Sequence, residues 1–211
     1  MPTVVRALLI ALLLTGLPIG AAVWLSDGAE PTPRSEPTPY ESIPLEDYDT
    51  TVVDVARSGF CDRISPDAVS AALGADAKDN TSYANGDKVE LVPRETDVAH
   101  EYGCTYVGPH GTEARAWVFA PPVTAERARQ LVDEATGIKG CRRQQPAPAY
   151  GDPGVALVCG YAKDDFASYR GLFGDAWLTC SLGLPRSTPE QQLLDRTGKW
   201  CVAVAQAASG G

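Results

Sequence analysis

Only two histidines, His100 and His110, and one methionine occur in the 211 residues. That scarcity removes the common routes to hydrolytic and metal chemistry. His110 falls in a Gly/Pro-rich turn, and His100 precedes Glu101 where a strand is expected to begin. Neither sits near a G-x-S-x-G elbow, an S-x-x-K motif or an H-E-x-x-H helix, because none of these occurs. C-x-x-C spacing is absent too, which removes zinc-ribbon and thioredoxin-like readings. No catalytic residue, metal or cofactor is therefore expected. Paired carboxylates for glycoside hydrolysis leave no spacing signature, so a cell-envelope hydrolase acting on glycan or ester substrates is the alternative reading.

Positive charge is also scarce: 18 Lys plus Arg face 27 Asp plus Glu, for a net charge of -9. A nucleic-acid binder needs clustered cations to neutralise phosphate, so nucleic acid is not an expected partner. At 44% hydrophobic, the chain nonetheless has the apolar content to bury a core. The acidity is uneven. Residues 1–50 hold two basic and seven acidic side chains, a net of -5, which leaves -4 for the other 161 residues.

Ala7 to Leu25 contains no charged residue. As helix, at ~1.5 Å per residue, it covers about 28 Å, close to the ~30 Å hydrocarbon core. Arg6 lies on its N-terminal side, so the positive-inside rule places the remainder of the chain outside the cytoplasm. Two readings of residues 1–25 stand. One is a single-pass transmembrane anchor, with Trp24 at the interface. The other is a cleaved signal peptide, with Gly20-Ala21-Ala22 as the small-residue site and a secreted product. Residues 26–50 carry five prolines and Glu-Pro-Thr-Pro twice. Such sequence favours an extended, acidic linker reaching roughly 75 Å at ~3.1 Å per residue. The folded domain is expected over 51–211.

All six cysteines, Cys61, Cys104, Cys141, Cys159, Cys180 and Cys201, lie in that domain. An even number in an exported domain implies a disulfide framework. Six cysteines permit about 15 pairings. The sequential one, 61 with 104, 141 with 159 and 180 with 201, is preferred because each bridge would join a helix or its flank to a neighbouring strand.

Local signals set the expected elements. Ser65, Pro66, Asp67 and Gly74 punctuate a short helix, and Thr124 caps a second over Ala125 to Thr136. A third helix starts near Ser187 or Thr188 and runs to about Ala208, with Leu193, Leu194, Cys201 and Val204 inward and Gly198 as a costly interior residue. Strands are expected at Lys88 to Val92, His100 to Val107, Glu113 to Ala120, Val155 to Ala162 and Ala176 to Leu182, the last two as partners. Phe166 to Phe173 is a less regular stretch. Helices separated by strand pairs favour an α+β fold: an antiparallel sheet with helices packed on one face, stapled by disulfides.

Phe60-Cys61-Asp62-Arg63-Ile64-Ser65-Pro66-Asp67, Ala71-Ala72-Leu73-Gly74 and Gly103-Cys104-Thr105-Tyr106 carry a resemblance. The layout resembles a family of actinobacterial exported lipoproteins of unknown function, and also the extracytoplasmic sensor domain of a mycobacterial receptor kinase. It spans about residues 60 to 208 and implies a surface domain without catalytic residues to carry over. This chain lacks the lipidated cysteine of the lipoprotein pattern.

Two clusters are candidates for ligand binding. Lys139, Arg142 and Arg143 flank Cys141 and could take an anionic polymer or carboxylate. Tyr169 and Trp177, with Tyr161, Phe166 and Phe173, could line a groove for glycan or lipid. Trp117 and Trp200 are assigned to the core. The expectation is a membrane-tethered extracytoplasmic domain that binds a cell-envelope ligand or a membrane protein partner without catalysis.

Overall fold

The computed structural model describes residues 40–92 and 95–210. The expected anchor or signal, and linker residues 26–39, lie outside them. The nine strands of the described residues are β1 (Asp79–Tyr83), β2 (Lys88–Val92), β3 (Glu95–Val98), β4 (Glu101–Val107), β5 (Glu113–Phe119), β6 (Cys141–Arg143), β7 (Gly154–Gly160), β8 (Asp164–Phe173) and β9 (Ala176–Pro185). The three α-helices of the described residues are α1 (Pro66–Leu73), α2 (Ala125–Thr136) and α3 (Glu190–Ser209). Seven strands form one antiparallel sheet in the order β1-β4-β5-β9-β8-β7-β6, and β2 with β3 forms a separate hairpin.

The ends of α1 and α2 are where capping chemistry puts them, whereas α3 starts at Glu190, after Pro189 and not at Ser187 or Thr188, with no side-chain cap. The Ser65 side chain accepts from the Asp67 amide, and Gly74 closes α1 in the left-handed region at φ 78°. Thr124 accepts from the Arg127 amide at the start of α2. In the sheet, β9 alternates without a break. Ala176, Leu178, Cys180, Leu182 and Leu184 join the larger core, and Trp177 joins a smaller one on the opposite face. α3 lies over β9 and β8 on the first face, with α1 beside it.

The α+β class, the antiparallel sheet and the disulfide staples are as expected, but the helices do not form one layer. Ala128, Val132 and Ala135 of α2 pack on Val155, Leu157, Leu172 and Trp177, on the face opposite α3. Strand pairing differs as well. β8, expected only as an irregular stretch, stands between β7 and β9 and pairs with both, so β7 and β9 are not partners. β1, β3 and β6 were not expected from sequence. They are short or largely exposed and lack the apolar alternation that marks a half-buried strand.

The cysteines pair sequentially, with Cα separations of 5.9, 3.9 and 5.4 Å in chain order. Cys61–Cys104 ties the turn before α1 to β4, and Cys180–Cys201 ties β9 to α3. The middle bridge does not follow the expected helix-to-strand plan, because Cys141 and Cys159 stand directly opposite each other on β6 and β7. It staples an edge strand of only three residues to its neighbour.

Residues 40–50, expected within the linker, belong to the folded unit that begins at Tyr40. Leu45 is buried in the main core. A Cβ on Gly198 would lie 3.1 Å from the Leu45 Cβ. The interior glycine of α3 thus gives the incoming segment its seat, offsetting a helix-propensity cost of ~1 kcal/mol. Leu45→Ala is expected to destabilise the domain by about 2–4 kcal/mol, as for other buried leucines. Urea unfolding of the full chain checks this, and an unchanged midpoint would show that residues 40–50 do not contribute to the core.

Candidate functional site

α2 covers mainly the β6 to β8 side of its face, together with Trp177 at the start of β9. The rest of that face, over β1, β4, β5, β9 and part of β8, forms the floor of a cleft of ≈ 960 Å³. Leu131, Glu134, Ala135 and Ile138 of the α2 region wall one side, and Val89 and Glu90 of β2 contribute from the hairpin. This volume is in the range of small-molecule sites.

Strand register defines the floor. Reading straight across the sheet, Tyr83, Gly103, Trp117, Thr179, Arg170 and Val155 occupy one row from β1 to β7. The next row includes Thr81, Thr105, Arg115, Ser181 and Ser168. This sheet face therefore carries hydroxyls and two guanidinium groups, with Trp117 and Phe119 as half-buried aromatic surface and Trp177 buried at its edge.

Gly103 makes room for Tyr83. A Cβ at 103 would meet the Tyr83 ring at 2.4 Å, so the ring lies across β4 only because that position is glycine. From there the Tyr83 hydroxyl donates to Glu101 Oε1. Burial raises the Glu101 carboxyl above its ordinary value, an effect that the Tyr83 hydrogen bond opposes. The phenol of Tyr83 is itself raised, by burial first and by Glu101 second.

Arg115 is committed to Glu113, with its Nε 2.6 Å from Oε1. Arg170 differs: its Nε is buried without a hydrogen-bond partner, and burial lowers its pKa. Beside it, Thr179 Oγ1 is also buried and unpartnered, on a residue with 0% exposure. Two adjacent polar atoms without partners thus lie just beneath the cleft floor, and the half-buried Arg170 is where a bound polar group would be stabilised most.

The structure separates the four residues expected to bind ligand. Trp177 lines the cleft while packing under α2. Tyr169 faces the other way, buried against Tyr150 with ring centroids 6.1 Å apart. Arg142 forms an ion pair with Glu190 of α3 and donates to Gln144 Oε1 at 2.8 Å. Arg143 is exposed on β6, opposite Leu157, and borders a different depression formed by the 144–156 loop. The cationic cluster is consequently split between the sheet's two sides by strand alternation, and the aromatic group is split in the same way.

Trp117, assigned to the core from sequence, is half-buried on the cleft floor. Trp200 is in the core, where its Nε1 donates to the Arg115 carbonyl at 3.1 Å. Arg170, Thr179 and the Tyr83–Glu101 pair were missed by sequence reasoning. One signal was present: Trp177, Thr179, Ser181 and Gly183 alternate with aliphatic residues and Cys180 along β9, marking a face that is not pure core.

Glu101 makes stability pH-dependent. Its folded pKa is raised above 4.5, so the folded chain holds this proton more tightly than the unfolded chain does. The stabilisation is complete below 4.5 and is lost as pH rises through the folded value. Glu101→Gln is therefore expected to flatten the fall in unfolding free energy between pH ~4 and ~7. Urea titrations of both proteins at the two pH values test it; parallel pH profiles would refute it.

No protein-family model matches the chain, and no curated protein matches it.

Proposed function

We propose that the protein is a non-enzymatic, membrane-tethered extracytoplasmic domain that binds a ligand or protein partner at the cell surface, and that the cleft beside α2 is its binding site. The observation that carries the reading is the cleft itself: ≈ 960 Å³, floored by Trp117, Trp177 and hydroxyl-bearing strands, with Arg170 unpartnered inside it. Location rests on other features. All six cysteines are bridged, which fits an oxidising compartment. The uncharged run from Ala7 to Leu25 supplies either an anchor or an export signal. The resemblance to exported actinobacterial lipoproteins supports the same placement.

One observation favours the alternative of a cell-envelope hydrolase. Glu101, with its raised carboxyl, borders the cleft, as a general acid for glycoside cleavage would. Its Tyr83 partner is also explained by packing across Gly103, so binding remains the preferred reading.

A thermal-shift screen of the full chain against fractionated envelope glycans, lipids and peptides distinguishes these readings. A ligand at ~100 times its Kd stabilises by about 2.7 kcal/mol, equivalent to roughly 5–10 °C for a domain of this size. Trp117→Ala is expected to abolish the shift, and Arg142→Ala with Arg143→Ala to retain it. The reverse pattern would place the site on the cationic strand β6. Product release from a fraction, lost in Glu101→Gln, would favour the hydrolase.

A further inference from the structure

The charge pattern of the cleft narrows the chemistry of its ligand. Two cations line it, and Arg115 is held by Glu113. Of the three lining carboxylates, Glu101 accepts from Tyr83 and Glu134 pairs with Arg127 at 2.7 Å. Glu90 has an interaction of its own. Among the described residues, Arg170 has neither a hydrogen bond nor an ion pair, and its sheet neighbours on either side are Thr179 and Val155. A guanidinium stays charged even when desolvated. Arg170 is half-buried, with its Nε shielded from water and unpartnered, so an incoming anion gives the guanidinium a partner where solvent access is limited.

Resting on the cleft as the binding site, we infer that Arg170 receives the carboxylate of a ring-bearing acid, with the ring lying over Trp117. Three observations lead there. The guanidinium fork matches a planar carboxylate in bidentate geometry. Glu90, Glu101 and Glu134 around the cleft disfavour a doubly charged phosphate more than a singly charged carboxylate. Trp117 and Arg170 lie two strands apart in one row, roughly 10 Å at ~4.8 Å per strand, which is the span of one ring and its acid group. Acidic sugars and aryl acids both have this chemistry, and the test separates them.

The experiment is calorimetric titration of the full chain, disulfides intact, with two matched pairs: methyl glucuronide against its carboxamide, and indole-3-acetate against indole-3-acetamide. In one pair the acid is expected to bind at least about tenfold more tightly than the amide, a difference of about 1.4 kcal/mol. Arg170→Met should erase that ratio while leaving amide binding unchanged, and Arg170→Lys should keep part of it. Without ligand, Arg170→Met is expected to melt at the same or a higher temperature, because it removes a partly desolvated charge that has no partner. A clear fall in melting temperature would mark Arg170 as structural and overturn the assignment. So would equal binding of acid and amide in both pairs, or a ratio that survives Arg170→Met; binding still weakened by Trp117→Ala would then leave the cleft as the site. If no probe binds, the ring-acid assignment fails, and the Trp117→Ala thermal-shift comparison decides the cleft separately. If Arg170→Met does not fold, the ratio in Arg170→Lys replaces it as the readout, and an undiminished ratio overturns the proposal.

Discussion

Packing of α3 against β8 and β9 is the interaction on which the rest of the structure depends. Its buried residues, including Leu193, Trp200, Cys201 and Val204, meet Leu178, Cys180 and Leu182 from the middle of the sheet. The fully buried Cys180–Cys201 bridge holds the layers in register. In the chain-entropy account, closing a loop of this length contributes about 3 kcal/mol. Other elements arrange themselves around this contact. α1 packs beside α3, with Arg196 donating to the Ala72 carbonyl in its last turn. Leu45 enters over Gly198 and brings the end of the N-terminal segment into the core.

With one face of the sheet committed to that core, the opposite face becomes available. α2 is twelve residues long and reaches mainly the β6 to β8 side. A longer or more central helix would have buried Trp117 and Arg115; instead, Trp117 is half-buried and Arg115 exposed. The uncovered strands have side chains suited to partial solvation, hydroxyls above all, whose burial without partners would be costly. The cleft thus follows from incomplete coverage of one sheet face. Arg170 Nε and Thr179 Oγ1 are the exceptions within it, being buried without hydrogen-bond partners.

The fold was legible where a local signal exists. Ser65, Pro66 and Gly74 delimit α1, Thr124 starts α2, and β4 and β5 stand where apolar alternation and a Gly/Pro turn place them. The sequential disulfide scheme was legible, although its helix-to-strand rationale fits only two of the three bridges. What was not legible depends on partners distant in sequence. β1 is polar and exposed, and it is a strand because β4 offers an edge to pair with. β8 looked irregular because both of its faces are covered, one by α3 and one partly by α2, which blurs the period-two pattern. For the site, clustering in sequence misled: Arg142 and Arg143 are adjacent, yet neighbours along a strand point to opposite faces.

By itself the sequence determined the composition limits, the even set of cysteines, the caps of α1 and α2 and most strand positions, because these depend on residues within a few positions of one another. The tertiary structure alone decided which face each strand turns to the core, where the domain begins, and that Arg170, and neither Arg142 nor Arg143, lines the cleft beside α2. Those outcomes depend on register across the sheet, and cross-strand register is set by pairings between segments dozens of residues apart.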